Sequence, residues 1–168
     1  MLSQRQTLQL SALSGALLFA LAAPAPAAEP AGTTVQQTYQ EIEKTLGGVP
    51  SFMKAFPESG IAGAWQEFKT VQLNPETALP GKVKELIGLA VAAQIPCEYC
   101  IYFHTKAAKL NGASDEEVKE AIAMAAITRH WSTVLNGSQI DKAAFRQETD
   151  QAMQFAADQM RAGSEAKK

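Results

Sequence analysis

Pro96-Cys97-Glu98-Tyr99-Cys100-Ile101-Tyr102-Phe103-His104 holds both cysteines of the chain and one of its two histidines. From Cys97 to Leu110 there is no Gly or Pro, and Asn111-Gly112 follows as a stop signal, so the spacing predicts a helix. Pro96 stands just before it, where a missing backbone N–H costs nothing because first-turn donors are unpaired anyway. Cys97 and Cys100 are three residues apart, Cys100 and His104 four, so all three project from one helical face. Two thiols and an imidazole so arranged serve redox, nucleophilic or metal chemistry.

The segment before this helix is its expected neighbour. After the turn at Pro80-Gly81, Val83, Leu86, Ile87, Ala90 and Val91 form one apolar helical stripe. A second face carries Glu85, Gly88 and Ala92, again at spacings of three and four. Small residues beside a lone acid let another helix come close and set the carboxylate against it. Gly88 in mid-helix costs about 1 kcal/mol relative to Ala, which points to a packing reason for it. Only Gln94-Ile95-Pro96 separates the two helices, so they are expected to lie antiparallel.

Further from the cysteines, helical periodicity continues in both directions. Val35, Tyr39, Ile42 and Leu46 mark a first helix that ends at Gly47-Gly48. Ser51 is placed to cap a short second helix that breaks before Pro57. Ile61, Trp65 and Phe68 give the buried stripe of a third, which runs out near Asn74-Pro75. Ser114-Asp115-Glu116-Glu117 is a capping box that opens the sixth helix, with Val118, Ile122, Ala125 and Ala126 facing inward and a stop at Asn136-Gly137. Asp141 caps a last helix with Phe145, Ala152, Met153, Ala156 and Met160 inward, before a polar tail from Gly163. No stretch predicts a strand. The fold class is all-α, a single helical domain over 28–168, with the Cys pair at the start of one helix of a central antiparallel pair.

An i, i+3 cysteine pair has Cα atoms near 5 Å apart and can close a disulfide. The helix N-terminus favours a thiolate, and a protonated His104 does the same for Cys100. A static structural bridge gains little here, because the loop it closes is too short to remove much chain entropy. Zinc bound by Cys97, Cys100, His104 and Glu85 would need ligands on consecutive turns to converge, without the usual distant second pair. We therefore expect no metal and no other cofactor. His130 has no Cys or acid at a matching offset and is assigned a structural or interface role.

Glu85, eleven residues, Cys97-x-x-Cys100, three residues and His104 resemble the active-site pattern of the AhpD-like alkylhydroperoxidases, in the carboxymuconolactone decarboxylase superfamily. The likeness extends loosely from Leu46-Gly47-Gly48-Val49-Pro50-Ser51-Phe52 to about Asn136. It implies an AhpD-like helical bundle assembled as a homotrimer or homohexamer. It also implies a Cys pair that reduces organic hydroperoxides and cycles to a disulfide, with Glu85 and His104 relaying a proton and an external dithiol resetting the site. The decarboxylase branch lacks the Cys pair, so Cys97 and Cys100 argue against lactone decarboxylation. Tyr99 stands where some members carry His. The resemblance makes Cys100 the attacking thiol and Cys97 the resolving one, whereas the helix dipole alone favours Cys97. The alternatives are a thiol–disulfide oxidoreductase acting on protein thiols, or an assembly protein with a structural disulfide.

The N-terminus has the layout of a secretory signal peptide over residues 1–27. Arg5 precedes an apolar run from Leu8 to Ala23, and Ala25-Pro26-Ala27 supplies the small-x-small cleavage pattern. Gln9 and Pro24 suit a permanent membrane anchor poorly. Export predicts a periplasmic or secreted protein, where a dithiol stays oxidised unless a dedicated partner reduces it. At 46% hydrophobic, 19% charged and a formal charge of −2 without basic clusters, the chain has the composition of a globular protein and no nucleic-acid footprint.

Overall fold

The computed structural model describes residues 33–165. The export segment 1–27 and its cleavage pattern lie outside the described residues. Seven α-helices follow in chain order among those residues: α1 Val35–Leu46, α2 Ser51–Lys54, α3 Glu58–Glu67, α4 Gly81–Gln94, α5 Glu98–Leu110, α6 Asp115–Gly137 and α7 Lys142–Glu165. A π-helical turn, Phe68–Leu73, continues α3. No strand occurs among the described residues, and none of their helices is long and apolar enough to cross a membrane.

The first three helices make one small core. Thr34 caps α1 reciprocally: its hydroxyl accepts the Gln37 N–H at 3.2 Å while Gln37 Oε1 accepts the Thr34 N–H at 2.8 Å. Gly47 ends the helix at φ 77°, a left-handed position that glycine takes without steric cost. Ile42, Met53, Ile61 and Trp65 are buried together, with Val35, Tyr39, Val49 and Phe68 around them. Full burial of such side chains is worth about 1.5–3 kcal/mol each. Ser51 is not the cap of α2. Pro50, extended at ψ 149°, forms the junction, and its carbonyl accepts the Met53 N–H at 3.0 Å, so Ser51 is already helical.

The site is framed by α4, α5 and α6. Helices α4 and α5 run antiparallel: Gly81 at the start of α4 lies so close to Asn111 that a Cβ there would sit 2.4 Å from Asn111 Oδ1. At the other end the Cys97 N–H donates to the Ala92 carbonyl at 3.1 Å. Helix α6 lies parallel to α4. Lys82 pairs with Glu117 at 2.7 Å near their starts, and Gln94 reaches the Ala125 carbonyl near the end of α4. Leu89, Ala92, Ala108 and Ala125 of this trio, with Ala113 in the turn between α5 and α6, are its buried apolar residues, and four of these five are alanine. Side chains this small bring the backbones close. Helix α5 closes with Ala113 N–H donating to Ala108 O at 2.9 Å and Gly112 N–H to Lys109 O at 3.0 Å, a Schellman motif with Gly112 at φ 83°.

Three expected inward faces are placed differently. On α4 the buried residues are Glu85, Leu89 and Ala92, while Ile87 and Val91 of the apolar stripe are exposed. Close approach of α5 selects the face that carries Gly88 and Ala92 and leaves Ile87 and Val91 outside. On α6 Ala125 is buried but Ile122 is exposed, and α7 buries no residue, so Phe145, Met153 and Met160 face outward. The polar tail expected from Gly163 is helical to Glu165.

Candidate functional site

Helix α4 delivers Glu85 into the seam with α5, where it is 3% exposed. From α5, His104 meets it with Nδ1 2.7 Å from Oε2. A carboxylate only accepts, so with Glu85 in that form the contact requires His104 to donate its Nδ1–H, which leaves Nε2 as the nitrogen that can take up a proton. The contact depends on Gly88. A Cβ there would lie 2.4 Å from Cε1, 2.5 Å from Nδ1 and 2.8 Å from Nε2 of His104, so the imidazole occupies the space a side chain would fill. That is the packing reason for a glycine in mid-helix.

Aromatic rings extend from the dyad back to the first core. Phe103 meets the His104 ring edge-on with centroids 5.3 Å apart, and Phe68 lies 6.1 Å from Phe103 and 5.8 Å from Trp65. Cys97 is the N-cap of α5, and its Sγ accepts the Cys100 N–H at 3.2 Å. The two cysteines are joined as a disulfide with Cα atoms 5.3 Å apart. Both cysteines are partly buried, and Tyr99 between them is 90% exposed.

All four expected site residues thus fall on the α4–α5 pair: Glu85 and His104 in direct contact, Cys97 and Cys100 bonded to each other at the start of α5. A bonded cysteine pair is present, and so is a hydrogen-bonded carboxylate–imidazole pair. His130 lies elsewhere. It is exposed, meets Trp131 edge-on at 5.5 Å, and lines an open groove with Gln94 and Arg129 between α4 and α6. Gln94 Oε1 accepts from Arg129 Nε at 2.7 Å there.

Periodicity could not reveal Gln72. Its side-chain amide, on the π-helical turn, donates to Glu85 Oε1 at 3.1 Å and approaches Oε2 at 3.4 Å. The only local signal was an amide just before Asn74-Pro75, where the third helix was expected to end.

Comparison with known proteins agrees with this geometry. The core of an alkylhydroperoxidase AhpD from Rhodospirillum rubrum superposes with a TM-score of 0.58 at 28% identity, covering 66% of this chain and 85% of that one. The uncharacterized protein 4 in the cox locus of Paracoccus denitrificans is 35% identical over 85 residues, 48% of this chain and 77% of that protein. An uncharacterized protein from Cupriavidus necator is 31% identical over 96 residues, 55% of this chain and 76% of its own length. The model of the carboxymuconolactone decarboxylase family matches residues 60–143, a span that runs from α3 through the Glu85–His104 seam to the start of α7. With its all-helical fold shared with the AhpD core, the chain belongs to the carboxymuconolactone decarboxylase family.

Proposed function

We propose that this protein is an exported, thiol-dependent peroxidase that reduces organic hydroperoxides through Cys97 and Cys100, working as a homotrimer or homohexamer with an external dithiol as reductant. The observation that carries the reading is the 2.7 Å contact between Glu85 and His104, on the same helical face as the redox-active spacing of Cys100. In the reduced protein, His104 Nε2 takes the proton of the Cys100 thiol. The thiolate attacks the terminal peroxide oxygen; the S–O bond forms as the O–O bond breaks, and the departing alkoxide recovers the proton from His104 as an alcohol. Glu85 holds the imidazole in the productive tautomer and stabilises its cationic form. Cys97 then attacks the sulfenic sulfur, a disulfide forms and water leaves. The external dithiol reduces that disulfide and is itself oxidised.

Cys100 is assigned the attack on magnitude. A helix N-terminus is worth about 0.3–1 kcal/mol to an anion and supplies no proton acceptor. A positioned general base contributes about 10²–10⁴-fold, and His104 lies one turn from Cys100. Tyr99, exposed between the two cysteines, offers an aromatic contact to a macromolecule, which supports exchange with protein thiols as a second reading.

The test is a coupled assay of tert-butyl hydroperoxide consumption with a small dithiol, on secreted protein whose intact mass gives an N-terminus at Ala28 or Glu29. The same peroxide is applied to Cys97→Ser and Cys100→Ser with a sulfenic-acid trap. Trapping is expected in Cys97→Ser alone. Trapping only in Cys100→Ser reverses the roles of the sulfurs. No turnover, with reduction of disulfide substrates instead, transfers the function to the second reading.

A further inference from the structure

The π-helical turn Phe68–Leu73 departs from the α-helical regularity of its neighbours, and Gln72 within it reaches the dyad. Regular helix turns by about 100° per residue, so widening the turn changes which face a following side chain occupies. The turn is also fastened on both sides of Gln72. Lys84 Nζ donates to the Val71 carbonyl at 2.6 Å and to the Asn74 carbonyl at 2.7 Å. Lys84 is the residue before Glu85, so adjacent side chains of α4 hold the turn and receive its amide. Among the described residues, the polar side chains on the Glu85 carboxylate are His104 and Gln72.

We propose that Gln72 is a positioning residue for the relay: its amide fixes the Glu85 carboxylate so that Oε2 stays aimed at His104 Nδ1. The inference rests on the peroxidase reading for its catalytic meaning, though not for its geometry. A primary amide suits the task. It donates to a carboxylate but neither gives up nor takes a proton itself, so it holds Glu85 without diverting the relay. With Gln72 nearer Oε1 than Oε2, Oε2 stays turned to the imidazole, and His104 keeps its Nδ1–H tautomer with Nε2 free to take a proton.

The experiment compares the full mature chain with Gln72→Met, which retains much of the side chain's length and removes the donor, and Lys84→Met, which releases the turn while leaving Gln72 in place. The chain has two histidines, so nitrogen-15 NMR with a His130→Gln reference resolves the His104 tautomer. In the wild type we expect Nδ1–H alone. In both variants we expect an Nε2–H population and a fall of about tenfold in kcat for peroxide with KM nearly unchanged, the scale of a small misplacement of a reacting group. A wild-type tautomer in Gln72→Met, or an altered one at full kcat, overturns the proposal. If Gln72→Met does not fold, Lys84→Met decides by the same two readouts. If the wild type consumes no peroxide, the peroxidase reading fails on its own, and the tautomer comparison still decides whether Gln72 holds the dyad.

Discussion

Gly88 shows how much of the site depends on a missing atom. A methyl group there would overlap the His104 ring at distances no ordinary contact reaches. Gly88→Ala therefore sets two effects against each other. Alanine gains about 1 kcal/mol of helix propensity, while overpacking a tight seam costs about 1–3 kcal/mol. The fold should survive with a small loss of stability, and the imidazole should be the group that moves. Peroxide turnover is expected to fall on the order of 100-fold, with the helical circular dichroism retained. Full turnover in a folded Gly88→Ala protein would show that the ring's seat on Gly88 is not required. This residue and its partners were legible in the sequence, because Glu85, Gly88 and Ala92 on one turn spacing are an odd set for a solvent face. Gln72 was not, because a π-helical turn breaks the periodicity from which side-chain direction is read.

At the scale of elements, the boundaries that depend on local chemistry were legible, and those that depend on packing were less so. Gly47, Asn111-Gly112, Ser114 and Asp141 mark helix ends where capping predicts them, since Asp141 Oδ1 accepts the Ala144 N–H at 2.8 Å and Ser114 the Glu117 N–H at 3.0 Å. The joint between α1 and α3 rests instead on a long-range group. Glu41 accepts from Lys69 Nζ and from Trp65 Nε1, the latter at 3.0 Å. The Lys69 hydrogen bond first, and the Trp65 one second, hold the Glu41 carboxyl below its ordinary value of 4.5. Since the folded value is the lower one, this contribution to stability is fully present above 4.5 and is lost as pH falls through the folded value. Glu41→Gln should thus lower the urea midpoint near neutral pH, with the gap to wild type narrowing in acid well below 4.5. A gap of constant size at every pH would mean that Glu41 acts there through shape alone. The exposure of this pair keeps the effect small.

For the whole molecule, the misplaced faces have in common that they lie open to water in the single chain. Apolar periodicity says which residues avoid water and not whether their cover comes from the same chain. Ile87 and Val91 of the α4 stripe, and Ile95 just after that helix, are about half exposed or more, as are Ile127 and Trp131 on α6. Helix α7 spans Lys142–Glu165 without a single buried residue, although Met153, Phe155 and Met160 lie along it. A lone subunit presents these large apolar side chains of several helices to water. A second copy is the cover that the proposed homo-oligomer implies for them. Sedimentation equilibrium of the mature protein is therefore expected to give three or six times the chain mass. Val91→Glu places a charge in the α4 stripe, away from Glu85, Gly88 and Ala92 on the seam. It should lower that mass while the helical signal and the Cys97–Cys100 disulfide are retained. A wild type that sediments as a single chain would remove the assembly from the proposal. A Val91→Glu protein that keeps the full mass would move the contact to α6 and α7.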